Sequence, residues 1–229
     1  MTAKLMTVGN EGETVIVIDN ALADPQASVD LAAGLAPFPE IEGNYYPGLR
    51  LRLTPEHGPD VKAYVDAVCA AVLPAMQMTY GLRGFDVVEA SFSMVTTPPA
   101  DLKTGQRIAH CDTTNPLRFA VLHYLCRPEQ GGTGFFRHRL TGFERITPER
   151  NTLYNQALEL DMEILPPAQD YLRDSSPIFE KIGEADAAFN RIVIYRSALL
   201  HSGLIPPDFA SDADPRRGRL TGNLFLLGR

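Results

Sequence analysis

Apolar positions along this chain change their spacing after the first third. Thr14–Asp19 (TVIVID) is a β-branched apolar run, and Asn20, Asp24 and Pro25 follow it, which predicts a strand passing into a capped helix over Pro25–Leu35. Pro59–Met76 carries Val61, Tyr64, Val65, Val68, Ala71 and Val72 at helical spacing, predicting a helix that lies on a sheet. From Phe85 the texture becomes short runs broken by Gly and Pro: Phe85–Val95, Arg118–Cys126, Thr133–His138, Arg191–Arg196 and Leu220–Leu227 read as strands. Pro148–Leu160 has helical composition, and the Pro166-Pro167 step reads as an excursion on the surface.

Together these elements predict a mainly β fold with flanking helices, a double-stranded β-helix of the jelly-roll, cupin-like kind. A chain of 229 residues is expected to form a single domain over 1–229, with 1–84 a helix-rich N-terminal support and 85–229 the jelly-roll core.

Composition narrows the function classes. A formal charge of −7, with one basic cluster at Pro215-Arg216-Arg217-Gly218-Arg219, argues against a nucleic-acid partner, because phosphate-backbone binding draws on clustered Lys and Arg. The N-terminus lacks a secretory apolar stretch, and no later segment is expected to approach the roughly 20 apolar residues of a membrane span; the expectation is a cytoplasmic protein with no membrane partner. Cys69, Cys111 and Cys126 lack C-x-x-C spacing and read as free thiols.

Chemistry gathers around a few residues. His110-Cys111-Asp112 is an H-x-D just before the Arg118 strand, and residues two apart on extended chain project to the same side, so imidazole and carboxylate can share one metal ion. His201 follows the Arg191–Arg196 strand, a rigid place from which to aim another ligand. Two histidines and a carboxylate on one face of iron(II) leave coordination positions open. Arg219 opens the last strand, where a guanidinium can take a carboxylate through two parallel hydrogen bonds.

In that order, H-x-D, Tyr-Leu in a strand, Gly-Gly-Thr, a late His and a final-strand Arg, the segment from Phe85 onward resembles the 2-oxoglutarate- and iron(II)-dependent oxygenases, and within them the prolyl-hydroxylase-like branch. The resemblance implies His110, Asp112 and His201 as iron ligands and as the catalytic centre. It implies Arg219 as partner of the distal carboxylate of 2-oxoglutarate, with Tyr124 the second contact. It further implies O2 as co-substrate, release of succinate and CO2, and hydroxylation of a C–H bond in an amino-acid, peptidyl or other small-molecule substrate. The stretch from His201 to Arg219 is longer than the pattern expects, and Arg217 is the alternative anion partner. A non-redox jelly-roll metalloprotein, zinc-dependent or ligand-binding, can use the same two histidines and aspartate.

Other polar residues have plainer readings. His123 faces opposite to Tyr124 and is expected to pack under a helix; His138, on a strand rim with alternating charge, is expected on a solvated face. Tyr45-Tyr46-Pro47-Gly48 reads equally as a substrate lid or as a connector. Gly131-Gly132-Thr133-Gly134 lacks the Lys and helix of a phosphate loop and reads as a hairpin turn.

Overall fold

The computed structural model describes residues 3–40, 46–209 and 211–229. Among them the strands are β1 (Ala3–Val8), β2 (Glu13–Ile18), β3 (Gly48–Arg52), β4 (Phe85–Val95), β5 (Arg118–Tyr124), β6 (Thr133–His138), β7 (Phe179–Ala185), β8 (Arg191–Arg196), β9 (His201–Gly203) and β10 (Arg219–Gly228). The α-helices are α1 (Pro25–Gly34), α2 (Pro59–Tyr80) and α3 (Pro148–Ile164). A seven-stranded antiparallel sheet runs β1-β2-β8-β5-β10-β4-β3, and a three-stranded one runs β7-β6-β9. This is the expected mainly β, double-stranded β-helix architecture.

Period-two alternation sorts the larger sheet into two faces. On β8, Ile192 and Ile194 join a core with α1 and α2, whereas Val193 and Tyr195 turn toward the smaller sheet. On β5, Phe119 and Val121 face the helices while Ala120 and Tyr124 face inward. The helices are seated by one side: α2 buries Val61, Tyr64, Val68, Val72, Ala75 and Met76, each large aliphatic contributing about 1.5–3 kcal/mol by leaving water. In α1, Pro25 takes the first turn and the Asp24 carboxylate accepts from the Ala27 N–H at 3.1 Å. A third core, with Phe136, Ile146, Tyr154, Phe179 and Leu200, packs α3 on the smaller sheet.

Several expectations change. The first 84 residues supply β1, β2 and β3 to the larger sheet, so their role is not support from outside alone. The 22-residue α2 is long and apolar enough to cross a membrane, contrary to the reading that no segment approaches that length. Its apolar face lies on the sheet, with Lys62 and Asp66 pairing on the opposite side, the arrangement of a core helix. Gly131 and Gly132 do not close a hairpin: they carry the chain from β5 in one sheet to β6 in the other. At Gly131, φ is +87° and a Cβ would stand 1.9 Å from the Leu204 carbonyl oxygen, so only glycine fits. His138 is fully buried, its Nε2 3.1 Å from Asp161 of α3 and its ring edge-on to Tyr154, because α3 covers the rim that the strand pattern left open.

His123 behaves as expected, packing beneath α2. Its Nδ1 lies 3.2 Å from the Tyr64 hydroxyl and its Nε2 3.2 Å from Asn190 Oδ1. Gly222 stands directly across from it on β10, and a Cβ there would meet the Tyr64 oxygen at 1.8 Å. Glycine at 222 therefore makes room for the buried Tyr64–His123 contact.

Candidate metal centre

The three ligand candidates are brought together by main-chain pairing. His110 and His201 form an isolated antiparallel bridge, and the Asp112 N–H donates to the Ser197 carbonyl at 2.8 Å, so the H-x-D main chain is docked on the start of β9 and on the segment that leads to it from β8. Nε2 of His110 and Nε2 of His201 stand 3.9 and 3.7 Å from Asp112 Oδ1, and one donor atom from each residue lies within 4.8 Å of the others.

His201 is the most enclosed of the three. Its Nδ1 lies 2.8 Å from the Leu199 carbonyl, which can only accept, so Nδ1 carries the proton and Nε2 keeps a lone pair facing Asp112. Burial pushes the His201 imidazole down to about 4; burial and the neighbouring His201 do the same to His110. Neutral imidazoles are the form that binds metals. Burial raises the Asp112 carboxyl, while His110 and Ser197 beside it pull the other way. The side chain of His110 remains 41% exposed, and that surface faces an open cavity.

The cavity holds about 490 Å³ between the sheets. Arg219 enters it from the start of β10, on the face shared by Thr221, Asn223 and Phe225. The guanidinium is held from behind: Nε donates to the carbonyls of Gln130 (3.0 Å) and Gly131 (3.1 Å), and Nη2 donates to that of Gly132 (3.1 Å). The residue is 5% exposed, and its guanidinium sits 5.9 Å over the Tyr124 ring. Tyr124 shares a 2.6 Å hydrogen bond with the Thr133 hydroxyl. Arg217, by contrast, is on the surface, paired with Asp212 and Asp214.

Of the segment read equally as lid or connector, one residue reaches the cavity, and three further lining residues escaped the sequence reading. Tyr46 lines the cavity, whereas Tyr45 of the same segment lies outside the described residues. Tyr171 comes from the Pro166-Pro167 excursion, is buried, and anchors its hydroxyl on the Thr97 carbonyl at 2.6 Å. Arg50 of β3 and Arg118 of β5 also reach the cavity wall. Leu49 and Leu51 of β3 pack toward the helices, so the Leu-Arg-Leu-Arg alternation was the signal that placed Arg50 on the inner face. The three cysteines are free thiols, as expected.

Solved structures share this fold. HygX from Streptomyces hygroscopicus, with nickel and 2-oxoglutarate bound, superposes with a TM-score of 0.55 at 10% identity, over 95% of this chain and 84% of that one. SnoN, a non-heme alpha ketoglutarate dependent epimerase from nogalamycin biosynthesis, gives 0.53 at 9% identity, over 94% and 78%. AviO1 from Streptomyces viridochromogenes Tue57 gives 0.52 at 12% identity, over 94% and 90%. At such identities the likeness is one of fold. No curated protein sequence matches the chain. A family model does: DUF6445, described as a family of unknown function, matches residues 1–226, and the chain belongs to that family.

Proposed function

We infer that this protein is a 2-oxoglutarate- and iron(II)-dependent oxygenase of the cytoplasm, with His110, Asp112 and His201 as metal ligands. The observation that carries the reading is the pairing, within one cavity, of a two-histidine, one-carboxylate cluster with a buried arginine held by three main-chain carbonyls. The donor set fits iron(II): His201 has its tautomer fixed with Nε2 free, and the three residues occupy one side of the site, leaving the cavity side open. Bound there with 2-oxoglutarate and O2, the metal would supply the oxidising power to break a C–H bond, with succinate and CO2 released.

The chain's own residues bind, orient and exclude water. Arg219 is assigned the distal carboxylate of 2-oxoglutarate, since the carbonyls of residues 130–132 fix its plane before any ligand arrives. Tyr124, locked on Thr133, is assigned the second contact at that end. Val95, Ile108, Leu122 and Ile205 make the wall apolar, which strengthens the ion pairs within it. HygX was solved with 2-oxoglutarate, and SnoN is an alpha ketoglutarate dependent epimerase, which supports the co-substrate. Hydroxylation of an amino-acid, peptidyl or other small-molecule substrate is the simplest outcome of such chemistry.

The test is an anaerobic titration of metal-free protein with iron(II) and then 2-oxoglutarate, followed by visible absorption. A weak charge-transfer band in wild type that vanishes in Asp112→Ala supports the reading. Tight zinc binding with no such band would replace it with the non-redox metalloprotein.

A further inference from the structure

Four part-buried arginines outside the cavity are matched by carboxylates. Arg145 pairs with Glu13 and Arg150 with Glu11, each at 2.6 Å; Arg191 pairs with Asp19 at 2.6 Å, and Arg137 with Glu144 at 2.5 Å. In the cavity that matching is missing among the described residues. The groups within ion-pair distance of Asp112 are the two histidines, not an arginine. Arg50 spends its Nε on the Ser93 hydroxyl at 3.1 Å, and among the described residues its Nη nitrogens have no protein partner. It is also held in place by rings: its guanidinium lies 5.3 Å from the centre of Tyr46 and 6.0 Å from that of Phe225.

Charge balance singles these groups out. Among the described residues the cavity is lined by three arginines, 50, 118 and 219, against two carboxylates, Glu89 and Asp112. Iron(II) and the dianion of 2-oxoglutarate cancel each other, so a loaded site retains one positive charge in excess. Arg219 is taken up by its carbonyls and by the co-substrate assigned to it. The Arg118 carbonyl accepts from the Ser197 N–H and the Ser197 carbonyl from the Asp112 N–H, which seats Arg118 beside the metal centre, and Arg50 lies against Phe225, the β10 partner of Ala120, two residues along the same face of β5. Placing cations in a partly buried wall costs solvation, which the Ser93 hydroxyl and the two rings beside Arg50 offset only in part and an anion would restore.

We propose that Arg50 and Arg118 form a second anion site beside the metal centre, and that it takes the carboxylate of a monoanionic primary substrate. The assignment to a primary substrate rests on the oxygenase reading; the anion site itself does not. A planar carboxylate suits the Nη edge of Arg50, which no described residue engages by hydrogen bond and whose plane the ring contacts fix in advance. The remainder of such a substrate meets the apolar wall of Val95, Ile108, Leu122 and Ile205. A neutral or cationic substrate would leave the excess charge unanswered.

The probes are hexanoate and hexanamide, equal in size and different by one charge, titrated calorimetrically into protein loaded with redox-inert nickel(II) and 2-oxoglutarate. Hexanoate should bind at least about tenfold more tightly than hexanamide, and Arg50→Gln and Arg118→Gln should each remove most of that preference. Affinity for 2-oxoglutarate should stay within about twofold in both variants, because the distal clamp is elsewhere. Equal binding of the two probes, or binding of neither, overturns the proposal, as does a preference that survives both substitutions. A preference absent from wild type together with weakened 2-oxoglutarate binding in Arg50→Gln would give that arginine to the co-substrate. If wild type takes up neither nickel nor 2-oxoglutarate, the oxygenase reading fails, and the same pair of probes on the unloaded protein still decides the anion site. Arg50→Lys, which keeps the charge and loses the fork, guards against misfolding and should retain an intermediate preference.

Discussion

His110 and His201 exchange two main-chain hydrogen bonds, the N–H of each donating to the carbonyl of the other at 3.0 and 2.9 Å. Their imidazoles are thereby brought to a centroid separation of 4.5 Å by backbone alone. The bridge does not depend on either side chain.

It follows that His201→Ala should keep the fold and lose the metal. Nickel(II) affinity is expected to fall more than about 100-fold, beyond what loss of an outer-shell partner costs, while the thermal midpoint of the metal-free protein moves little. Dialysis with metal analysis, alongside calorimetric melting, reads both quantities. A variant that melts far below wild type would show that the side chain, not the bridge, holds the segment.

Arg219→Lys tests the clamp. Lysine keeps the charge but cannot satisfy the carbonyls of 130–132 and a carboxylate together, so 2-oxoglutarate affinity should drop about 10- to 100-fold, from loss of about 1.5–3 kcal/mol of charge-assisted bonding. Arg217→Lys, on the surface, should leave that affinity unchanged. Equal effects from the two substitutions would point away from Arg219.

His123 sets a pH dependence. Burial pushes its imidazole down to about 4 against 6.5 when unfolded, with the Asn190 contact opposing in part. Between those values the unfolded chain takes up a proton that the native one refuses. Stability is therefore complete above pH 6.5 and falls as the pH drops toward 4, by about 3 kcal/mol for this residue. Denaturant titrations should show His123→Gln with a shallower acid slope by about one proton. A slope identical to wild type would contradict the assignment.

Gly222→Ala should cost about 2–4 kcal/mol, since the new methyl meets the Tyr64 hydroxyl at 1.8 Å. Combining it with Tyr64→Phe removes the offending oxygen and should recover part of the loss, which a double-mutant cycle by chemical denaturation measures. Additive losses would show that the clash lies elsewhere.

Strands with β-branched or apolar alternation, such as Arg191–Arg196 and Thr133–His138, were legible because both of their faces are buried. β1 and β7 were not: each is an edge strand with charged residues interspersed, and neither carries a clean period. β9 has three residues, too few for any period. For the site, His110, Asp112 and His201 were legible as residue types in order, and their approach depends on a pairing across 91 positions that no local window contains. His138 was misplaced for the same reason, its covering partner Asp161 belonging to a helix that follows it in the chain. Arg50 was hidden by the Pro47-Gly48 step, which drew the segment toward a loop, although Gly48 begins β3.

The seating of α2 has a practical corollary. Its inner side closes the back of the larger sheet, and its outer side carries Lys62, Asp66 and Met78, 75, 61 and 79% exposed. A dye, a tether or a surface for immobilisation attached at Lys62 would stand behind the sheet, opposite the cavity, leaving the route to the metal centre open. For this protein that makes the helix a handle for single-molecule or biosensor work.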